Sequence, residues 1–212
     1  YNTTTGTNLG DWDVFYDGRP AGSNIAAGGS VARSYTMTLP NGPNAVGELR
    51  FTVTSDIYNY VFERTTAGAN GENNNATSVI RTSTLASYAD LRVENLAATP
   101  SNPETGSLLH ITWTDANHGT DATKSNFYDR VRVVNTSTGT TLLDNWLHYT
   151  GAAIAAGDSI DRAYDFRIPD GPTGVGNLQV SIYSDINNNV YEYLLGTSAE
   201  ANNEAVISTV TS

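Results

Sequence analysis

Apolar and polar residues alternate along much of the second half of the chain. The segment from Leu108 places Leu109, Ile111 and Trp113 on one face, and the segment from Phe127 alternates in the same way. A period of two residues is typical of strands that are buried on one face of a sheet. No stretch longer than a turn has helical apolar spacing, so the pattern predicts an all-β fold.

Seven such segments are predicted in the second half, each bounded by turn residues. They begin at Leu91, Leu108, Phe127, Thr140, Ser159, Gly176 and Asn203. Clusters of Gly, Asn, Asp and Pro between them are typical of tight turns. Seven short antiparallel strands in a unit of this size favour an immunoglobulin-like sandwich of two sheets.

The chain repeats itself. The seventeen residues from Asn2 to Gly18 match those from Asn135 to Gly151 at nine positions. The segment SDIYNYVFE from Ser55 returns as SDINNNVYE from Ser184. Because these matches keep their order and differ in spacing only at turns, they indicate two tandem copies of one domain.

The two copies differ in completeness. Residues 89–212 are predicted to form a complete seven-stranded repeat, 83–88 a linker, and 1–82 the C-terminal portion of a repeat that lacks its first strands. The first copy is predicted to keep four strands, near Thr7–Tyr16, Val31–Leu39, Glu48–Ser55 and Ala76–Arg81. Half a sandwich leaves apolar faces and strand edges open. We therefore expect another chain, either a neighbouring copy or another fragment of the same precursor, to supply the missing strands.

Composition narrows the class of protein further. Acidic residues outnumber basic ones 22 to 11, which gives a formal charge of −11 and argues against a nucleic-acid partner. There is no cysteine, which excludes disulfides and thiolate metal sites. No apolar run reaches the ~20 residues of a membrane-spanning helix. Because the chain opens on Tyr1 without an initiator methionine, we expect a fragment or a processed product.

Several short motifs now support a resemblance to a known family. The run ADLRVENLAATPSNPETGSLLHITWTDANHGT from Ala89 is followed in order by YDRV, AAG, SDINNNVYE and EANN. In this order the motifs resemble the cell adhesion related domain found in bacteria, the CARDB domain. The resemblance covers Ala89–Ser212 nearly end to end, and Asn2–Thr82 for the later part of the domain. It implies an immunoglobulin-like repeat of large extracellular proteins, located at or outside the cell surface, with an adhesive or spacer role.

Acidic turns at equivalent places in the two copies are the candidate sites. The residues are Asp56, Asn59, Glu63, Glu72 and Asn74 in the first copy, and Asp185, Asn188, Glu192, Glu200 and Asn202 in the second. Calcium takes six to eight oxygen ligands of these types, so a structural Ca²⁺ site is one interpretation. The other is that Asp and Asn side chains bond the backbone of their own turns, since no complete calcium-loop motif is present.

No catalytic constellation is visible in the sequence. His110, His118 and His148 are the only histidines, and none recurs at its equivalent position in the other copy. We therefore expect a protein that is not an enzyme: a secreted adhesive module that builds a stalk or filament. The alternative is a carbohydrate-binding or accessory module of a large secreted protein, with Trp12, Trp146 and the tyrosines as a sugar-stacking surface for surface glycans. Trp113 is predicted to lie in the core.

Overall fold

A computed structural model describes residues 1–64, 67–194 and 196–212, and confirms an all-β protein. The strands are β1 Gly47–Thr54, β2 Ala76–Ser83, β3 Leu91–Thr99, β4 Leu108–Asn117, β5 Phe127–Asn135, β6 Thr140–Tyr149, β7 Ser159–Arg167, β8 Gly176–Tyr183, β9 Tyr193–Leu194, β10 Thr197–Ser198 and β11 Glu204–Thr211. Short 3-10 helices span Pro43–Ala45, Glu72–Asn74, Gly171–Thr173 and Glu200–Asn202. Among the described residues no helix is long and apolar enough to cross a membrane.

The chain divides into two compact units. Unit 1 runs from Tyr1 to Ala86, and unit 2 from Ser87 to Ser212. The division falls within the predicted linker, residues 83–88. Each unit has its own sheets, so each is described separately.

Unit 2 is a sandwich in which all seven predicted strands are present. One sheet has the order β11-β8-β5-β6 and the other β3-β4-β7, with every neighbouring pair antiparallel. Inward-facing residues of both sheets form one apolar core, which includes Ile111, Trp113, Val131 and Val180. Trp113 is 1% exposed, so its predicted core position is confirmed.

In the part of unit 1 that the structure describes, β1 and β2 form one antiparallel pair, which corresponds to β8 and β11 of unit 2. The predicted strands near Thr7–Tyr16 and Val31–Leu39 are wrong, because these segments do not form sheet ladders. Their counterparts in unit 2 are β6 and β7, which pair with β5 and β4. The described part of unit 1 holds no counterpart of β4 and only the end of one of β5. The two segments therefore have no neighbouring strand to bond, whereas β1 and β2 pair with each other.

A buried asparagine marks the end of the same strand position in both units. In unit 2, Asn135 Nδ2 donates to the carbonyls of Thr173 and Val175, at 3.0 and 2.8 Å. In unit 1, the equivalent Asn2 Nδ2 donates to the carbonyls of Asn44 and Val46, both at 2.8 Å. Both side chains are fully buried. The repeat seen in the sequence thus extends to the hydrogen bonds of individual side chains.

Candidate metal centres

Three acidic side chains of unit 2 meet beyond the end of β8. One carboxylate oxygen from each of Asp185, Glu192 and Glu200 lies within 4.8 Å of the other two. Asp185 follows β8, Glu192 precedes β9, and Glu200 begins a 3-10 turn. Asp185 and Glu192 are buried, while Glu200 is half-buried. Carboxylate oxygens gathered in this way can hold a hard divalent cation.

The turn that positions Asp185 is closed by its own carboxylate. Its Oδ1 accepts from the Asn189 N–H at 2.9 Å, and its Oδ2 from the Val190 N–H at 2.7 Å. Asn188 holds a left-handed backbone conformation, with φ 51°, which an asparagine tolerates better than most residues. These contacts fit the backbone-bonding interpretation of the acidic turns. They leave the cation interpretation open, because each carboxylate oxygen has more than one lone pair.

Glu192 connects this turn to the first strand of the sandwich. Its Oε2 accepts from the Leu91 N–H at 3.0 Å, and its Oε1 from Asn203 Nδ2 at 3.2 Å. Burial, and secondly the charge of Glu200, raises the pKa of Glu192 to about 8. Three carboxylates that lie close together with little access to solvent favour the binding of either a proton or a cation. An apolar cluster that includes Leu91, Phe127 and Val190 lies at the same end of the sandwich.

Of the predicted amide ligands in unit 2, Asn202 is committed to another carboxylate. Its Nδ2 donates to Asp90 Oδ1 at 2.8 Å, and Asp90 Oδ2 pairs with Arg92 Nη2 at 2.7 Å. Asp90 is fully buried and is not among the residues predicted from the sequence. Its place directly before a strand with a buried apolar face could have indicated it. Asn188 shapes the turn, as described above.

Unit 1 repeats the cluster in a more open form. One carboxylate oxygen from each of Asp56, Glu63 and Glu72 lies within 4.8 Å of the other two, and all three side chains are half-buried. Asp56 accepts from the N–H groups of Tyr60 and Val61 at 2.8 and 2.7 Å, as Asp185 does in its own turn. The other predicted residues of this set lie around the cluster: Asn59 has φ 52° in the turn, and Asn74 ends a 3-10 helix. The bond from β3 to Glu192 has no counterpart in the described part of unit 1.

A second group of buried charges in unit 2 was not predicted. Asp115 on β4 and Asp129 on β5 are both fully buried, and Arg162 of β7 lies between them. Arg162 Nη2 is 2.9 Å from Asp129 Oδ2, and its Nε is 3.8 Å from Asp115 Oδ2. Asp115 is in phase with Ile111 and Trp113 on the inward face of β4. That phase is the sequence signal that could have revealed it.

The two aspartates share one cation, and this affects their protonation. Burial, and secondly the charge of Asp129, raises the pKa of Asp115 to about 8. Burial also raises the pKa of Asp129, to about 6, against the opposing effect of the Arg162 guanidinium. One proton between the two carboxylates would match the single positive charge of Arg162.

The remaining candidate side chains lie on the surface. His110 Nδ1 is 2.6 Å from Asp165 Oδ1, and His118 Nε2 is 2.7 Å from Glu94 Oε1, on exposed parts of unit 2. Trp12 in unit 1 is 48% exposed. Its ring centroid is 5.9 Å from that of Tyr35.

Comparison with known proteins gives similarities at the level of solved structures. No protein-family model matches the sequence, and no curated protein is significantly similar to it. The chain is similar to the crystal structure of the CARDB domain of the PF1109 protein from Pyrococcus furiosus in complex with di-metal ions. That match has 20% identity, a TM-score of 0.43, and coverage of 60% of this chain and 97% of that chain. The family of that domain is the one that the sequence motifs resemble.

Two larger enzymes also match over a part of their length. Alkylpurine DNA glycosylase AlkC from Pseudomonas fluorescens, bound to DNA containing an abasic site analog, is 13% identical, with a TM-score of 0.39. The match covers 58% of this chain and 30% of that one. A β-glucosidase from Listeria innocua in complex with glucose is 14% identical, with a TM-score of 0.39, over 60% of this chain and 17% of that one.

Proposed function

We propose that this protein is a non-enzymatic adhesive module of a secreted bacterial surface protein, which joins its neighbours end to end in a stalk or filament. The joining step is completion of unit 1 by strands from a copy of this chain or from another fragment of the same precursor. The observation that carries this proposal is the open edge of β1. The CARDB-type motifs support the adhesive and extracellular role.

The edge of β1 that faces away from β2 is hydrogen-bonded along only half of its length. In unit 2, β8 lies between β11 and β5, and its far end pairs with Arg130–Val133. In unit 1, β1 pairs with β2, and its other edge bonds Tyr1 and Thr3 near Leu49. The counterpart of the far end of β8 is the part of β1 from Phe51 to Thr54, where no strand pairs among the described residues. An added strand in line with Tyr1 would continue the ladder.

Apolar side chains around this edge are exposed. Val53 at the end of β1 is 66% exposed, although its counterpart Ile182 is fully buried between the sheets of unit 2. Val14 is 48% exposed, although its counterpart Leu147 packs against the core of unit 2. A covering strand or sheet would remove this surface from water, which is the main driving force for such an association.

An arginine of unit 1 indicates what the added strand should carry. Arg33 is the counterpart of Arg162: it lies over the Tyr16 ring at 5.0 Å and bonds the Val14 carbonyl at 3.2 Å. Arg162 likewise lies over Tyr149 at 5.3 Å and bonds the Leu147 carbonyl at 3.3 Å. In unit 2 this arginine also pairs with Asp129 of β5. The strand that completes unit 1 should therefore offer a carboxylate to Arg33.

A peptide-binding experiment tests this completion. The peptide FYDRVRV, which has the sequence of Phe127–Val133, is labelled and titrated with the whole protein, and fluorescence anisotropy is measured. We expect saturable binding, about tenfold weaker for the peptide with asparagine in place of its aspartate, because Arg33 then faces no charge. In the variant Arg33→Met the two peptides should bind equally. If neither peptide binds, completion along β1 is contradicted. If the two peptides bind the unaltered protein equally well, only the role of Arg33 is contradicted.

We also propose that Ca²⁺ occupies the two acidic clusters and stiffens their turns. With Ca²⁺ at 100 times its dissociation constant, binding to the folded state adds about 2.7 kcal/mol to the free energy of unfolding. Thermal melts with and without Ca²⁺ should therefore differ, and Glu192→Gln should remove most of the shift contributed by unit 2. Glu94→Gln, at an exposed position of the same unit, should leave the shift unchanged. Identical melts with Ca²⁺ and with chelator would refute the cation sites.

A further inference from the structure

The outer face of the four-stranded sheet of unit 2 carries one continuous row of side chains. Glu204 on β11 is paired in register with Tyr183 on β8, Tyr183 with Arg130 on β5, and Arg130 with Trp146 on β6. Three spacings between neighbouring strands make this row about 14 Å long. Aromatic and charged groups alternate along it.

The polar groups of the row are held in fixed orientations. Arg130 Nε is 2.7 Å from Asp144 Oδ1, and its Nη2 is 2.6 Å from Asp144 Oδ2, so the two groups lie in one plane. The same guanidinium lies 5.9 Å from the Tyr183 ring. The Tyr183 hydroxyl bonds the carboxylate of Glu204, and this bond raises the pKa of Tyr183. Little side-chain entropy is left to lose when a ligand binds such groups.

The aromatic end of the row is open to solvent. Trp146 is 50% exposed. Tyr128 lies beside it, with ring centroids 6.3 Å apart, and His148 stacks on Tyr128 at 4.3 Å with an interplanar angle of 14°. Cross-strand pairing accounts for the contacts among these rings. It does not account for a tryptophan on the edge strand β6 that leaves half of its surface in water.

We propose that this row is a binding surface for a short oligosaccharide. A sugar ring has an apolar face of C–H groups, which packs on an indole, and hydroxyl groups at its rim, which can bond the paired Arg130 and Asp144 at once. Sites of this kind combine apolar area with a few polar groups in fixed places. Tyrosine, tryptophan and arginine also occur at the centres of protein interfaces, so binding of a protein is the competing outcome of the experiment below. The carbohydrate alternative raised by the sequence thus gains a definite surface, and it is independent of strand completion.

The experiment is a glycan array probed with the whole protein, followed by calorimetric titration of the best oligosaccharide. We expect Trp146→Ala to weaken binding by at least about tenfold, since the packing surface is lost. Asp144→Asn should weaken it less, and Trp146→Phe should retain part of it. Leu108→Ala, which removes an exposed apolar side chain from the opposite sheet of unit 2, should leave binding unchanged.

Two controls decide between the outcomes. Thermal melts of each variant show whether unit 2 remains folded, and Trp146→Phe keeps a ring at the position if Trp146→Ala does not fold. The proposal is overturned if the array shows no glycan binding, or if folded Trp146 variants bind as well as the unaltered protein. Competition by a protein ligand for the same face, without any glycan binding, would also overturn it.

Discussion

Replacing Arg162 by methionine is expected to lower the free energy of unfolding of unit 2 by about 3–5 kcal/mol. The substitution leaves two fully buried aspartates without their cation, while methionine keeps most of the apolar stem. It also removes the guanidinium from the Trp113 and Tyr149 rings, 5.9 and 5.3 Å away. Chemical denaturation at neutral pH, followed through tryptophan fluorescence, measures the loss.

Two further variants distinguish the effect of the lost charge on stability from the effect of the lost packing. Arg167→Met, at an exposed position on the same strand, should change the free energy of unfolding by less than about 0.5 kcal/mol. Arg162→Met combined with Asp115→Asn and Asp129→Asn should recover much of the stability, because no buried group that can carry a negative charge then lacks its partner. If the triple variant were no more stable than Arg162→Met, lost packing would explain the effect and the electrostatic account would be wrong.

The architecture of unit 2 could be predicted because each strand carries its own signal. The alternation along β4 and β5 identifies both the strands and their buried faces, and Trp113 lies where that phase places it. In unit 1 a similar pattern led to the wrong prediction of a strand at Val31–Leu39. A strand needs a partner for its backbone groups, and the described part of unit 1 contains no counterpart of β4. Local sequence shows which segments can pair, whereas pairing depends on what lies beside them.

The candidate sites were predictable to a similar degree. The repeated spacing of acidic residues indicated Asp185, Glu192 and Glu200, and the structure brings their carboxylates together. The bond from Glu192 to β3 could not be predicted, because Leu91 lies 101 residues away along the chain. Asp115 was overlooked for another reason. The sequence shows that Asp115 is in phase with the apolar residues of β4, but Arg162, which pairs with it, lies on a different strand.

Replacing Asp115 by asparagine is expected to increase the stability of unit 2 at alkaline pH. The pKa of Asp115 is raised from the ordinary 3.8 to about 8, so the folded protein holds a proton that the unfolded chain releases. A raised carboxyl pKa lowers stability as pH rises between these two values, and the full cost is present above the higher one. Asparagine cannot ionise, so the stability of the variant should not decrease with pH for this reason. The difference between the two proteins should reach about 2–5 kcal/mol at pH 9.

Denaturation curves at pH 5 and pH 9, recorded with a chelator, test this sign. The acidic clusters are common to both proteins, so their own titration cancels in the difference. At pH 5 the proton on Asp115 and the amide of asparagine offer similar donors to Asp129, and only the first part of the fall has occurred, so the two proteins should differ by no more than about 1–2 kcal/mol. Asp158→Asn, at an exposed position, should follow the unaltered protein at both values. Equal slopes for the two proteins from pH 5 to pH 9, with Asp115→Asn the less stable at both values, would show that Asp115 is ionised in the folded state, with Arg162 as its stabilising partner.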